Sequence, residues 1–233
     1  TMPALCNTII ISAWKMALHL LVPVIVSILL NEIQSNAFRR ISQTLIYLPH
    51  FLSWIILAGI LIDLLSPNGG LVNRFLGLFG AEPIFFLGSN KWFRFTLVFT
   101  DVWKEFGFGT IVYLAAITNI DPTQYEAATI DGANRFQRIM HVTVPNMRMI
   151  IVLMMVLSLG NVLNAGFDQV YNMYSEAVYS TGDILDTFIY RLSFKNGLWG
   201  QSAAVSMFKS VVSTLFISVS YLCAYKFADY RVF

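Results

Sequence analysis

Three apolar runs of this chain carry residues with the chemistry to handle a polar solute. In one, Asp101, Glu105 and Phe108 are spaced i, i+4, i+7, which places them on one face of a helix, with Lys104 alongside. In a second, His50, Ser53 and Trp54 interrupt the apolar pattern; in a third, Ser158, Asn161 and Asn164 do, running on to Asp168 and Gln169. Ionisable and amide groups at the middle of apolar segments are costly, and when they cluster they mark a path for a solute. Carboxylates and amides exchange hydrogen bonds with hydroxyl groups, while aromatic rings stack on apolar ring faces. Each residue also has a plainer role open to it. Lys104 can neutralise Asp101 or Glu105, Asn161 and Asn164 can tie helices together, and His50 can pack behind Pro49. Phe and Trp serve as packing groups or interface anchors in membrane proteins. Lys15 and His19, four apart in another apolar run, have no assigned role.

A different constellation occupies residues 125–145, YEAATIDGANRFQRIMHVTVP. Asp121 can cap a helix, Pro122 fits its first position, and Gln124 completes an Asp-x-x-Gln capping box. Ala127, Ala128 and Ile130 form a small flat apolar patch, and Asp131-Gly132 makes a sharp turn in which Gly132 takes positive φ. A second amphipathic helix follows, with Phe136, Ile139 and Met140 on one face, and Val142, Val144 and Pro145 lead into the next apolar run. The pattern predicts a helix–turn–helix bracket lying along a membrane surface. Its small residues allow close approach of a partner, and Glu126 offers a charge at the exposed tip.

These groups need long apolar helices to hold them. Of the 233 residues, 57% are hydrophobic and 12% charged, against about a quarter charged in a typical soluble domain. Such a chain can neither cover a soluble globule with polar surface nor stay disordered. A net charge of +2 excludes a broad basic face for nucleic acid, and Cys6 and Cys223 give neither a metal-ligand spacing nor a disulfide framework. The expected fold is all-α, a polytopic transmembrane helical bundle of about five spans. These lie near 8–30, 41–65, 92–117, 147–167 and 205–227, and form a single domain over 1–233. Pro23 and Pro49 can kink the first two. If loop 118–146 is cytoplasmic, Arg39, Arg40, Arg135, Arg138, Arg148, Lys226 and Arg231 lie inside. Arg74, Lys91, Arg94, Arg191 and Lys195 then lie on long external loops, 66–91 and 166–204, which weigh less in orientation. The chain starts at Thr1 without a basic n-region or a cleavage site, which reads as a fragment lacking its natural start rather than a signal peptide.

The bracket resembles the EAA loop of binding-protein-dependent ABC importer permeases, the MetI-like or type I family. Glu126, Ala127, Ala128, Asp131, Gly132, Ala133 and Pro145 match its motif, with Val144 in place of the usual Leu and Phe136 on the second helix. The segments FRRISQTLIYLPHFLSWIILAGI, LLSPNGGLVN, EPIFFLG and DVWKEFGFGTIVYLAAITNIDPTQYEAA are similar to the carbohydrate-importing branch, nearest its polysaccharide and complex-sugar permeases. The likeness covers nearly the whole chain, apart from one further N-terminal span that members usually have.

The resemblance implies a permease that does no covalent chemistry. Its bracket would couple to a pair of ABC ATPase subunits, and its spans would form a path with a second, homologous permease by alternating access. Sugar would arrive from an extracytoplasmic solute-binding protein, across a bacterial cytoplasmic membrane. No cofactor or metal is expected on this chain; ATP and Mg belong to the partner ATPase, in keeping with the lack of a G-x-x-x-x-G-K-[ST] run here. By likeness to maltose-type permeases, the sugar-facing positions are Asp101, Glu105, Phe108, Ser158 and Asn161, with Asn164 on the same side and His50 and Trp54 from the second span. Two alternatives stand beside this reading: an ABC importer of peptides or amino acids, and an intramembrane hydrolase using Asp101, Glu105 and His50. The hydrolase lacks any G-x-S-G or G-x-G-D stretch.

Overall fold

The structure, a computed structural model, describes residues 2–228, with side chains through residue 222. Lys226 and Arg231, counted above on the inner side, and Cys223 lie outside the described side chains. Among the described residues every regular element is helical.

The chain opens with α1, Met2–Asn31, a 30-residue helix that carries Pro23 inside it. Next come α2, Asn36–Tyr47, a 3₁₀ turn at Leu48–Phe51, and α3, Trp54–Leu64. The expected second span, 41–65, is therefore two helices, with a bend of 102° between them. Pro49 lacks an N–H and clashes with the preceding turn, so it stops α2. Ser53 then starts a new helix by accepting a hydrogen bond from the Ile56 N–H at 3.4 Å.

After α4, Leu71–Gly77, comes α5, Asn90–Thr118. At 29 residues α5 is long enough to cross a bilayer. It is too polar to qualify by composition, because Lys91, Arg94, Asp101, Lys104 and Glu105 all lie on it. The bracket is α6, Pro122–Ile130, and α7, Arg135–Arg138, followed by a π-turn at Ile139–Thr143 that runs into α8, Val144–Leu159. The helix ends earlier than the expected boundary at residue 167. The 160–199 stretch holds α9, Phe167–Met173, α10, Tyr179–Gly182, and α11, Leu185–Tyr190. The last helix, α12, is Trp199–Ala228, starting six residues before the expected span. Among the described residues, three helical stretches can cross a membrane by length and apolarity, Met2–Asn31, Arg135–Leu159 and Trp199–Leu222, or four if the bent pair is one broken span.

The chain divides into two compact units. Among the described residues, the first comprises 2–16, 52–101 and 161–216; the second, 17–51, 102–160 and 217–228. In the first, Ile11, Leu57, Phe93, Leu97, Val170, Ile184 and Leu185 are buried. Asn73 closes its 65–84 loop: the amide donates to the carbonyls of Ser66 and Ile84, both at 3.0 Å, and accepts from the Ile84 N–H at 2.8 Å. In the second, Tyr113, Ile117, Ile120, Val142 and Met147 form the core, with Val24, Ile28, Tyr125, Ala128 and Ile150 packed on it.

Candidate functional site

The bracket belongs to the second unit and is held there by side-chain hydrogen bonds. The Tyr125 and Thr143 hydroxyls hydrogen-bond at 2.9 Å, and the Asn146 amide donates to Gln124 Oε1 at 2.8 Å. Together these tie α6 to the start of α8. Arg138 reaches back to Thr129 Oγ1 at 3.2 Å, joining the two arms. At the corner, the Gly132 N–H donates to Thr129 O and the Ala133 N–H to Ala128 O, the paired bonds that close a helix through a left-handed residue. Gly132 supplies that residue at φ 78°, and a Cβ there would meet no neighbour. The backbone conformation alone, not crowding, asks for glycine.

The structure differs from the sequence reading at two places in the bracket. The capping box falls on the second arm: Gln137 N–H donates to Asn134 Oδ1 at 2.9 Å, and Asn134 N–H to Gln137 Oε1 at 2.8 Å. Asp121 caps α6 singly, accepting from the Thr123 N–H at 2.9 Å, because Gln124 is engaged by Asn146. That backbone donor, with the Thr123 side chain, holds the Asp121 carboxyl below its ordinary value. The spacing of Asn134 and Gln137 carries the same sequence signal as Asp121 and Gln124; only the competition from Asn146 separates them. The apolar patch also divides. Ala128 turns onto the core, while Ile130 is 86% exposed. Glu126, Ala127, Asp131 and Pro145 are exposed, Ala133 is half-buried, and Phe136 is 69% exposed. The bracket therefore presents two acids, Glu126 and Asp131, and the large apolar side chains of Ile130, Phe136 and Met140 on a frame tied by its own hydrogen bonds.

The polar residues of the apolar runs form two separate groups. In the second unit, His50 Nδ1 lies 2.7 Å from Glu105 Oε2, and Lys104 donates to Glu105 Oε1 at 2.6 Å and to the His50 carbonyl at 3.0 Å. The imidazole stacks on Phe108 with ring centroids 4.4 Å apart. In the first unit, Lys15 pairs with Asp101 at 3.0 Å and donates to Gln169 Oε1 at 2.5 Å and to Ala165 O at 2.8 Å. Gln169 passes its own amide protons to Leu97 O and Thr100 Oγ1, both at 2.8 Å. The shared face expected for Asp101, Glu105 and Phe108 is thus divided. Asp101 is buried in an ion pair with Lys15, a partner that no local spacing could assign. Ser158 bonds the carbonyl of Met155, and Asn164 accepts from the Gly166 N–H, so both side chains serve their own turns. Asn161 is exposed and Trp54 half-buried. Among the described residues, no group of three or more His, Cys, Asp or Glu side chains is placed to hold a metal ion.

Residues 19–232 match the family described as the binding-protein-dependent transport system inner membrane component. The chain belongs to that family. It is a permease component of an importer, a transporter subunit and not an enzyme. Two Bacillus subtilis relatives are each 38% identical over 97% of this chain and 71% of their own length. They are the polygalacturonan/rhamnogalacturonan transport system permease protein YteP and the protein LplB. The backbone is similar to that in a crystal structure of a bacterial ABC transporter involved in importing the acidic polysaccharide alginate. The TM-score is 0.93 at 34% identity, covering 97% of this chain and 79% of that one. A second structure of a bacterial alginate transporter, in complex with a periplasmic protein bound to an alginate pentasaccharide, gives 0.92 at 35% identity, covering 97% and 78%. Membership in this permease family leaves the hydrolase reading without support.

Proposed function

We propose that this permease imports oligosaccharides or polysaccharide fragments across the bacterial cytoplasmic membrane. It would work with a second, homologous permease, two ABC ATPase subunits and an extracytoplasmic solute-binding protein. ATP and Mg are consumed in the ATPase subunits; this chain contributes the bracket and one side of the solute path. The observation that carries the reading is the bracket itself: Glu126, Ile130 and Phe136 exposed on a frame whose own donors and acceptors are paired. A frame of that kind transmits a push from a partner without absorbing it by local unfolding. Glu126 would pair with a basic group on the ATPase, and the two apolar side chains would fill a cleft there. The names of the relatives, for pectic polysaccharides and alginate, support a saccharide as cargo. His50, Glu105 and Phe108, with Trp54, Asp101, Ser158, Asn161 and Asn164, are the proposed solute-facing set. The His50–Glu105–Phe108 cluster is its best-supported part, since it is partly open and offers acceptors, a donor and a ring face together.

The test is ATP hydrolysis by the reconstituted complex, stimulated by the sugar-loaded binding protein. Substituting Glu126→Ala together with Gly132→Val is expected to abolish the stimulation while the subunits still assemble. Unchanged stimulation would overturn the coupling assignment.

A further inference from the structure

The stretch 167–199 carries five aromatic rings in direct succession that neither the bracket nor the polar groups of the apolar runs use. Phe167 stacks on Tyr171 with centroids 5.3 Å apart, and Tyr171 meets Tyr190 edge-on at 4.8 Å. Tyr190 tilts against Phe194 at 5.1 Å, and Phe194 meets Trp199 edge-on at 5.2 Å. All five belong to the first unit. The Tyr171 hydroxyl donates to that of Tyr190 at 3.2 Å, and these inner rings are half-buried. Phe194 and Trp199 are 68% and 58% exposed.

The backbone holds those two exposed rings together by specific means. A π-turn at Arg191–Lys195 follows α11. Arg191 forks onto both carboxylate oxygens of Asp183 at 3.1 and 2.6 Å, and the Ser193 and Ser202 hydroxyls hydrogen-bond at 2.6 Å. Gly197, at φ 67°, then reverses the chain, and the Leu198 N–H returns to Leu192 O at 2.9 Å. Within the turn Leu192 and Ser193 are buried, while Phe194 is exposed. Lys195 sits beside them, exposed, and among the described residues it pairs with no carboxylate. The acids of the same stretch that face water are Asp168, next to Phe167 at the inner end, and Glu176. The positive charge therefore lies at the exposed end of the row.

Resting on the saccharide reading above, we propose that this ring row with Lys195 at its edge is a stacking site for an acidic oligosaccharide on the external side. The electron-rich faces of the rings attract the C–H faces of pyranose units. The paired phenols of Tyr171 and Tyr190 can bond sugar hydroxyls. The Lys195 ammonium meets a uronate carboxylate at the end where rings are open to solvent.

The experiment uses the assembled importer in nanodiscs, with a short oligogalacturonate as probe and a neutral malto-oligosaccharide of equal length as comparator. Phe194→Ala with Trp199→Ala is expected to weaken oligogalacturonate binding about tenfold. Trp199→Phe is expected to keep most of the affinity, and Lys195→Gln to weaken the acidic probe but not the neutral one. Co-purification of the ATPase with each variant reports assembly. Unchanged affinity in the double variant overturns the proposal. So does lost uptake with unchanged glycan affinity, which would make the row a docking surface for the binding protein. Quenching of Trp199 by brominated lipid with no response to glycan also overturns it, and would mark an interfacial anchor. If the wild-type importer moves no saccharide at all, the saccharide reading falls first; if it moves oligogalacturonate equally with and without the two rings, only the ring row falls.

Discussion

At the scale of single residues, the same side-chain type has different fates depending on its neighbours. Asp101 and Glu105 sit one turn apart on α5, yet Asp101 is closed into a buried pair with Lys15 while Glu105 shares Lys104 with a partly open His50. Removing one partner of a buried pair strands a charge, whereas replacing both by apolar groups does not. Asp101→Asn is therefore expected to lower thermal stability in detergent by about 3–5 kcal/mol, and Lys15→Met with Asp101→Leu to recover part of it, since the Gln169 and Ala165 oxygens then lose their Lys15 donor. If transport stays lost while stability returns, Asp101 also faces the solute. If both return, its role is to hold the fold. Gly132 is a second such case, for it needs glycine by conformation alone. Gly132→Ala is expected to cost about 1–2 kcal/mol, the strain of a left-handed L-residue. That strain should be visible as faster amide exchange at Ala133, whose N–H closes the corner.

At the scale of elements, the short second arm of the bracket depends on its cap. α7 has four residues and no packed face of its own, so Asn134 and Gln137 supply much of what keeps it helical. Asn134→Ala is expected to cost about 1 kcal/mol and to raise exchange at the Gln137 amide, without reaching α8. Acid acts on the first arm instead. The Asp121 carboxyl is held below its ordinary value, so the cap is complete above that value and is lost as pH falls through the lowered one. α6 should thus hold its exchange protection at neutral pH and down to about pH 4, and loosen only in stronger acid.

At the scale of the whole molecule, the role proposed for the exposed side chains of the bracket lies in the assembly rather than in the chain. Phe136 is 69% exposed and makes little of the core. Phe136→Ser is expected to leave the melting temperature of the isolated chain nearly unchanged, within about 0.5 kcal/mol, yet to reduce co-purification of the ATPase subunit. A matching fall in the isolated chain's stability would instead place Phe136 in the fold.

The amino-acid sequence by itself determined the solvent, the helical class, the bracket and its corner. These follow from local patterns: long apolar runs, a glycine after an acid, and an Ala-rich stretch beside a charge. The broken second span was half legible, since Pro49 predicts a kink but not a bend of 102° with a fresh cap at Ser53. Only the tertiary structure decided which polar groups belong together. Lys15 meets Asp101 and Gln169 across more than eighty residues of chain, and the Asn146 amide takes Gln124 away from its own helix cap. The ring row of 167–199 was equally hidden, because its members come from three helices and a π-turn with no common period. The reason is general: a helix face is set by spacing along the chain, but a hydrogen-bond partner is set by competition among all the groups that folding brings within reach.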